Sequence, residues 1–456
     1  MTPYFEADGV TLYHGDALAV LGELPDASVE AVITDPPAGI SFMGRAWDHH
    51  RGGREQWSGW LAEVMAECLR VAKPGAHAVV WALPRTSHWT ACGLEDAGWE
   101  IRDRITHLFA SGFPKSLAVD KAIDKAAGAE REVVGRKGGR NAYLRTDIRG
   151  GNYIGGSDGT YDGADITAPA TDEARRWSGF GTALKPAAED WWLCRKPFPG
   201  SVASNVLAYG TGALNIDGCR VAGETRTYRA RGMKSLVDQH ATHDRPYVAG
   251  LPNRDEPLVE ATGRWPSNVV LSHTATPDEE DLCVDGCVPG CPVLELDRQS
   301  GVLTSGMLAP HHDAKPSTNG SMRGGNYAGR IKGTFGGDSG GASRFFPVFR
   351  YEPKAPTHER PRVKRSDGTT EAHATVKPLD LMRWLVRLIT PPGGIVLDPF
   401  LGSGTTAEAC VIEGFRCIGV EREPCGQCKS GCPDYLSLVV KRLSKPIQPV
   451  LEVPCA

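Results

Sequence analysis

Apolar positions near the start of the chain alternate between two rhythms. Val29-Glu30-Ala31-Val32-Ile33 is a short apolar run that stops at a proline pair. Ala76-His77-Ala78-Val79-Val80-Trp81 is another, entered through Lys73-Pro74-Gly75, which reads as a turn. Both predict buried strands. Between them, Trp60 to Leu69 carries apolar residues at helical spacing. From Leu12 to Phe109, then, strand and helix alternate, which predicts a parallel sheet covered by helices. The pattern returns after His373. Leu381, Trp384, Leu385 and Leu388 predict an amphipathic helix over Leu379–Ile389, Pro391-Pro392-Gly393-Gly394 ends it, and Ile395-Val396-Leu397 begins a strand.

The middle, Ala110 to Ala372, has long polar, glycine-rich passages such as Gly138 to Gly163 and Ser317 to Ser343. The phrase Arg-Gly-Gly-Asn-Tyr-x-Gly occurs as Arg149 to Gly155 and again as Arg323 to Gly329. Two copies are too few for a solenoid. They read either as coincidence in glycine-rich loops or as paired loops that lay amides and an arginine against phosphates. Residues 101–150 hold eleven Lys/Arg against six Asp/Glu, and residues 321–365 hold ten against three. Phe109, Phe113, Tyr143, Phe335, Phe345 and Tyr351 are interleaved with these basic stretches. That mixture fits either a polyanion footprint or a solvated loop surface.

Composition narrows the class. The 456 residues, 41% of them apolar, suffice for a sizeable core, and correspond to roughly three domains. The net charge of −4 excludes a wholesale polycation but not a local basic groove. No run of eighteen apolar residues occurs, which argues against a membrane-spanning helix. Met1 to Asp8 carries two acids and no signal-like pattern, so a cytoplasmic setting is expected. In that reducing compartment the 13 cysteines favour metal binding over disulfides.

Two motifs carry candidate chemistry. Leu397-Asp398-Pro399-Phe400-Leu401-Gly402-Ser403-Gly404-Thr405-Thr406 leaves a strand and opens the helical stretch Ala407 to Glu413. Glycines admit a ligand close to the backbone, and the helix start offers unpaired N–H groups. The full G-x-G-x-x-G is missing, which disfavours a pyrophosphate cradle. A second strand, Arg416 to Val420, ends in Glu421, at the distance where an acid suits the ribose hydroxyls of an adenosine-containing cofactor. The other motif is Asp35-Pro36-Pro37-Ala38, at the end of the first apolar run. Two prolines fix the backbone and remove N–H donors. The Asp35 carboxylate and the Pro36 carbonyl can each accept a hydrogen bond from one amino group, holding its nitrogen lone pair toward an electrophile.

These residues resemble the S-adenosylmethionine-dependent DNA amino-methyltransferases, which methylate the 6-amino group of adenine or the 4-amino group of cytosine. His373-Ala374-Thr375-Val376-Lys377-Pro378 is similar to the family's H-P-T-x-K-P element, Gly15-Asp16 to its G-D-x-L segment, and Arg70 to Gly75 to its L-K-P-G turn. The order, catalytic tip first and cofactor loop last, resembles the beta subgroup. The resemblance implies a Rossmann-like α/β sheet with helices on both faces. It implies catalytic parts at 1–110 and 372–456, and a target-recognition region at 111–371, the interval where the cysteine spacing described below allows a zinc site. Asp35, Pro36, Pro37 and Ala38 would form the catalytic tip. Phe400, Gly402 and Gly404, with Asp398 and Thr405, would line the methyl-donor site. Glu421 would take the ribose and Asp16 the adenine edge, and Lys377 would sit in the cofactor-side helix region. Double-stranded DNA is the implied partner, with the base flipped out to be reached. A homodimer and a restriction or defence-system partner, in a bacterial or phage setting, are compatible with the family.

One departure stands out. The family has an aromatic residue, usually Tyr, where this chain has Ala38. That ring stacks on the flipped base, an interaction worth about 1–3 kcal/mol. The alanine reads as an engineered inactivating substitution, a natural loss of activity, or a gap filled by Phe42 or Trp47. The first is favoured because the other motifs are in order. The expected activity is N6-adenine methylation, since Asp-Pro-Pro is the more usual tip among adenine-modifying relatives. N4-cytosine methylation, a catalytically silent DNA-binding subunit, and an RNA or protein methyltransferase are the alternatives.

Two cysteine clusters remain. Cys283, Cys287 and Cys291 follow His273, and Cys425, Cys428 and Cys432 follow Glu421. Thiolates at these spacings fit tetrahedral, structural zinc. His273 can complete the first set, and Cys455, Cys417 or Asp434 the second. No Pro-Cys-Gln nucleophile of carbon-5 cytosine methylation and no Walker-type loop is present. The lone histidines His77 and His88 read as core or surface residues.

Overall fold

Ten strands form one sheet in the computed structural model. In chain order they are β1 (Phe5–Ala7), β2 (Val10–His14), β3 (Val29–Thr34), β4 (Ala72–Ala82), β5 (Glu100–Leu108), β6 (Ala188–Arg195), β7 (Val269–Ser272), β8 (Val348–Phe349), β9 (Ile395–Asp398) and β10 (Arg416–Glu421). Across the sheet the order is β1-β2-β10-β9-β3-β4-β6-β5-β7-β8. From β2 to β4 all neighbours are parallel. β6 is antiparallel to both β4 and β5, and β5, β7 and β8 are parallel again. The described residues are 1–41, 48–49, 51–109, 116–136, 165–229, 258–273, 287, 291–304, 339–349, 362–364, 370–372, 376–422 and 435–444. Both Arg-Gly-Gly-Asn-Tyr-x-Gly phrases, Phe42, Trp47, Cys283, Cys425, Cys428 and Cys432 lie outside them.

Side-chain alternation along the central strands feeds two cores, one on each face. On one face Ala31, Ile33, Val79 and Trp81 pack with Leu381 and Leu385 of α4 (Leu379–Ile389), Ala407 of α5 (Thr405–Ile412) and Val439 of α6 (Tyr435–Leu443). On the other, Val29, Val32, Ala78 and Val80 pack with Trp57, Leu61 and Met65 of α2 (Arg54–Val71) and Leu94 of α3 (Ser87–Asp96). A short helix, α1 (Ala17–Glu23), follows β2. Each fully buried aliphatic side chain contributes about 1.5–3 kcal/mol. The result is the doubly wound, Rossmann-like α/β arrangement expected.

Three details differ from the sequence reading. α2 begins at Arg54, six residues before the expected start. Lys73-Pro74-Gly75 is no entry turn but an irregular stretch inside β4, where the register against β3 shifts between Val29 and Ala31. Gly75 is required there: its φ is +77°, and a Cβ would lie 2.3 Å from Nδ2 of Asn205, whose amide donates to the Pro74 carbonyl. Finally, β6, β7 and β8 come from within 111–371, the interval expected to be a target-recognition insert.

The chain separates into two compact units. One comprises Met1–Cys219, Asn268–Leu294 and Val348–Val453, and contains the whole sheet. The other comprises Arg220–Ser267, Glu295–Pro347 and Pro454–Ala456. Its described residues include an antiparallel hairpin, Val221–Arg229 with Leu258–Arg264, and the Phe345 ring, over which the Arg344 guanidinium lies at 4.2 Å. Among the described residues no helix is long and apolar enough to cross a membrane.

Candidate active site

Four adjacent parallel strands, β2, β10, β9 and β3, end side by side, and each releases one of the motifs. Gly15-Asp16 follows β2, Glu421 ends β10, the glycine loop follows β9, and Asp35-Pro36-Pro37 follows β3. Ligands of open α/β sheets bind outside such carboxyl ends. Leu397 pairs with Val32, so Asp398 is level with Ile33 and one step from Thr34. Asp398 is 2% exposed. Its Oδ1 accepts from the Thr34 hydroxyl at 2.7 Å and from the Phe400 N–H at 3.1 Å. Its Oδ2 accepts from the Thr406 hydroxyl at 2.6 Å. Burial pushes this carboxyl up to about 6, although all three donors favour its charged form. The structure thus places Asp398, expected among the donor-site residues, where it fastens the glycine loop to the end of β3.

The loop itself turns through left-handed glycines, with φ +55° at Gly402 and +80° at Gly404. A Cβ on Gly404 would lie 2.6 Å from Val439 Cγ1, so α6 packs directly on the turn. Thr405 opens α5 and is buried. The Gly402 N–H donates to Oε2 of Glu421 at 2.7 Å. Burial pushes the Glu421 carboxyl up to about 7, with the nearby Asp398 charge adding to the shift and the Gly402 N–H opposing it. Asp16 caps α1 by accepting from the Leu18 N–H at 3.1 Å, and its second oxygen is 3.9 Å from the Arg422 guanidinium. Beside the loop, the Phe400 ring lies 5.6 Å from Trp60, and Arg51 lies over Trp60 at 4.1 Å. The donor set fits an adenosine cofactor: a desolvated carboxylate suited to hydroxyl donors, a second acid one strand over, and aromatic surface beside the glycine loop. Trp60 and Arg51 escaped sequence reasoning because no local motif marks them.

At the tip, Lys377 Nζ is 2.9 Å from Oδ2 of Asp35 and 3.7 Å from the centre of the Trp81 ring. The Trp81 indole in turn donates to Oε2 of Glu189 at 3.0 Å. Sequence reading put Lys377 on the cofactor side; here it pairs with the Asp-Pro-Pro acid. Burial raises the Asp35 carboxyl above the usual carboxylate range, and the Lys377 ammonium partly offsets this. The backbone beyond the prolines is pinned. The Ala38 carbonyl accepts from the Thr86 hydroxyl at 2.9 Å, and the Gly39 N–H donates to buried Asp48 at 2.8 Å. A Cβ on Gly39 would meet the Trp57 ring at 2.5 Å. Phe42 and Trp47, the rings considered as substitutes at position 38, lie outside the described residues.

Of the cysteine clusters, the structure brings His273, Cys287 and Cys291 together, with ligand atoms within 4.8 Å of one another. Cys283 and the whole Cys425, Cys428 and Cys432 set lie outside the described residues. Cys417, considered for that second set, is buried in β10 and interacts with Cys410.

The profile of the DNA methylase family matches residues 238–425. The type II methyltransferase M.BamHI of Bacillus amyloliquefaciens is 31% identical over 86 residues, which are 18% of this chain and 20% of that protein. The DNA adenine methyltransferase YhdJ of Escherichia coli (strain K12) is 34% identical over 103 residues, 19% of this chain and 35% of that one. The chain therefore spans well under half the length of either relative. The solved PvuII DNA methyltransferase (cytosine-N4-specific) aligns over 98% of this chain and 90% of its own at 12% identity, with a TM-score of 0.40. Over residues 238–425 and over these shorter aligned stretches, the chain is similar to DNA methylases.

Proposed function

We propose that this protein transfers a methyl group from S-adenosylmethionine to the exocyclic amino group of adenine, N6, in double-stranded DNA. The observation that carries this reading is the side-by-side exit of Asp35 and the glycine loop from adjacent strands, fastened by the Thr34–Asp398 bond. When bound, S-adenosylmethionine supplies an electrophilic methyl group on a sulfonium. Glu421 would accept from its ribose hydroxyls, Asp16 would face its adenine edge, and Gly402 and Gly404 would let it approach the backbone beside Phe400 and Thr405. The Asp35 carboxylate and the Pro36 carbonyl would each accept one N–H of the target amino group, so its lone pair faces the methyl carbon. The nitrogen–carbon bond forms as the sulfur–carbon bond breaks, and the nitrogen then sheds one proton. Asp35, lifted by burial, is a suitable first acceptor for that proton. The Lys377 ammonium opposes that lift.

A duplex hides the amino nitrogen, so the target base is read as flipped into the site. Sequence recognition is assigned to those parts of 111–371 that contribute nothing to the sheet, and restriction–modification is the setting that the type II relatives suggest. N6-adenine is preferred to N4-cytosine because of the Asp-Pro-Pro tip. The His273, Cys287 and Cys291 cluster, four strands away in the sheet order, takes no part in this reaction. Ala38 favours one second reading, a DNA-binding subunit that keeps the fold but not the activity. Methylation of mixed-sequence DNA, followed by nucleoside mass spectrometry, separates the readings. N6-methyladenine supports the first, N4-methylcytosine redirects the base, and cofactor binding with no product in either the native or the Ala38→Tyr chain supports the second.

A further inference from the structure

His273 immediately follows β7, and its backbone N–H donates to the Phe349 carbonyl of β8 at 3.1 Å. Its ring nitrogen Nδ1 faces two sulfurs, Cys287 Sγ at 3.2 Å and Cys291 Sγ at 3.6 Å. Cys291 is fully buried and neither thiol is in a disulfide. Two thiols converge on one ring nitrogen. A neutral imidazole nitrogen is either one donor or one acceptor, so Nδ1 can satisfy only one thiol well. A metal ion satisfies all three atoms at once. In a tetrahedral zinc site with bonds of about 2.3 Å to sulfur and 2.0 Å to nitrogen, the ligand atoms stand about 3.5 Å apart. The two separations bracket that value.

We infer that His273, through Nδ1, binds a zinc ion together with the thiolates of Cys287 and Cys291. The ion would cross-link the end of β7 to Cys287 and Cys291. Three protein ligands leave a fourth position for a thiolate or a water. The role is structural: β7 is four strands from β3 in the sheet, which at 4.8 Å per step puts the ion about 19 Å from the Asp35 strand. This site goes beyond the methyl-transfer reading and stands or falls separately from it, since its test reads metal rather than product.

The test is the zinc content of the purified full chain, beside Cys287→Ser and Cys291→Ser, with Cys92→Ser as control. Each of the two cluster variants is expected to hold about one equivalent less zinc than the native chain, and the control the same amount as native. Equal zinc in native and both cluster variants overturns the inference. Should the variants fail to fold, cobalt is added instead to chelator-stripped chain carrying Cys425→Ser, Cys428→Ser and Cys432→Ser, which removes the later cluster. Intense sulfur-to-cobalt charge-transfer absorption, competed away by zinc, is expected; its absence overturns the inference.

Discussion

The Thr34 hydroxyl and the Asp398 carboxylate, 364 residues apart in sequence, meet in a buried hydrogen bond of 2.7 Å. Thr34 immediately precedes the Asp-Pro-Pro acid, and Asp398 opens the glycine loop. A rigid link at this point leaves little freedom between the acceptor tip and the donor loop, which is what an in-line transfer needs. Replacing Thr34 with Val keeps the shape and removes one donor from a buried carboxylate. A bond to a charged group contributes about 1.5–3 kcal/mol, so Thr34→Val is expected to lower stability by that amount, with Thr34→Ser restoring most of it. Urea unfolding checks this: the midpoint should fall with an unchanged slope. An unshifted midpoint would show that the bond contributes nothing.

The Lys377 ammonium pairs with the Asp35 carboxyl at 2.9 Å. Burial already raises the Asp35 carboxyl, and Lys377 opposes that shift. In Lys377→Met the opposition is gone, so the carboxyl rises further. Since the carboxylate form is the one that accepts the amino hydrogen, the acidic limb of the pH–rate profile should move to higher pH. Lys377→Arg should move it less. A loss of rate with an unmoved limb would reduce Lys377 to a packing role. The profile requires a chain with measurable turnover, so the Ala38→Tyr background serves if the native chain is slow.

With Glu421 on the ribose, as proposed, cofactor binding is expected to depend on pH. Burial pushes the Glu421 carboxyl up to about 7. Ribose hydroxyls donate more strongly to the carboxylate than to the neutral acid, so binding lowers this pKa and releases a proton. Affinity is therefore full above 7 and falls as pH drops through it, by at most about tenfold per pH unit. Calorimetry with S-adenosylhomocysteine should show this slope in the native chain and none in Glu421→Gln, which should also bind more weakly. A native affinity that is flat across neutral pH would remove Glu421 from the ribose.

Much of this site was legible because its residues sit on local signals. α4 was bounded correctly at Leu379–Ile389, since Leu381, Trp384, Leu385 and Leu388 lie on one buried stripe. β3 and the glycine loop were equally plain, each a buried strand ending at residues with special backbone needs. The ion pair was not legible. Lys377 and Asp35 stand far apart in sequence, and spacing alone says nothing about which strand end the lysine reaches. Trp81 and Glu189 were hidden for a similar reason. β6 gains its place from pairing with β4 on one side and β5 on the other, in the register Trp81 with Trp191, not from an apolar pattern of its own. Asp398 is expected at the donor site because it opens the glycine loop, but its bonds to the buried hydroxyls of Thr34 and Thr406 left no mark in the sequence.

The most direct measurement uses S-adenosylmethionine with a deuterated methyl group. Native, Ala38→Tyr and Ala38→Tyr/Asp35→Ala chains are incubated with DNA, and the hydrolysed nucleosides are weighed by mass spectrometry. A stacking ring worth about 1–3 kcal/mol raises base occupancy roughly five- to 150-fold. The expected result is therefore deuteromethyl N6-adenine that increases from native to Ala38→Tyr and vanishes when Asp35 is removed. Labelled product that persists without Asp35, or no labelled amino group in any chain that binds the cofactor, would contradict amino-group transfer at this tip.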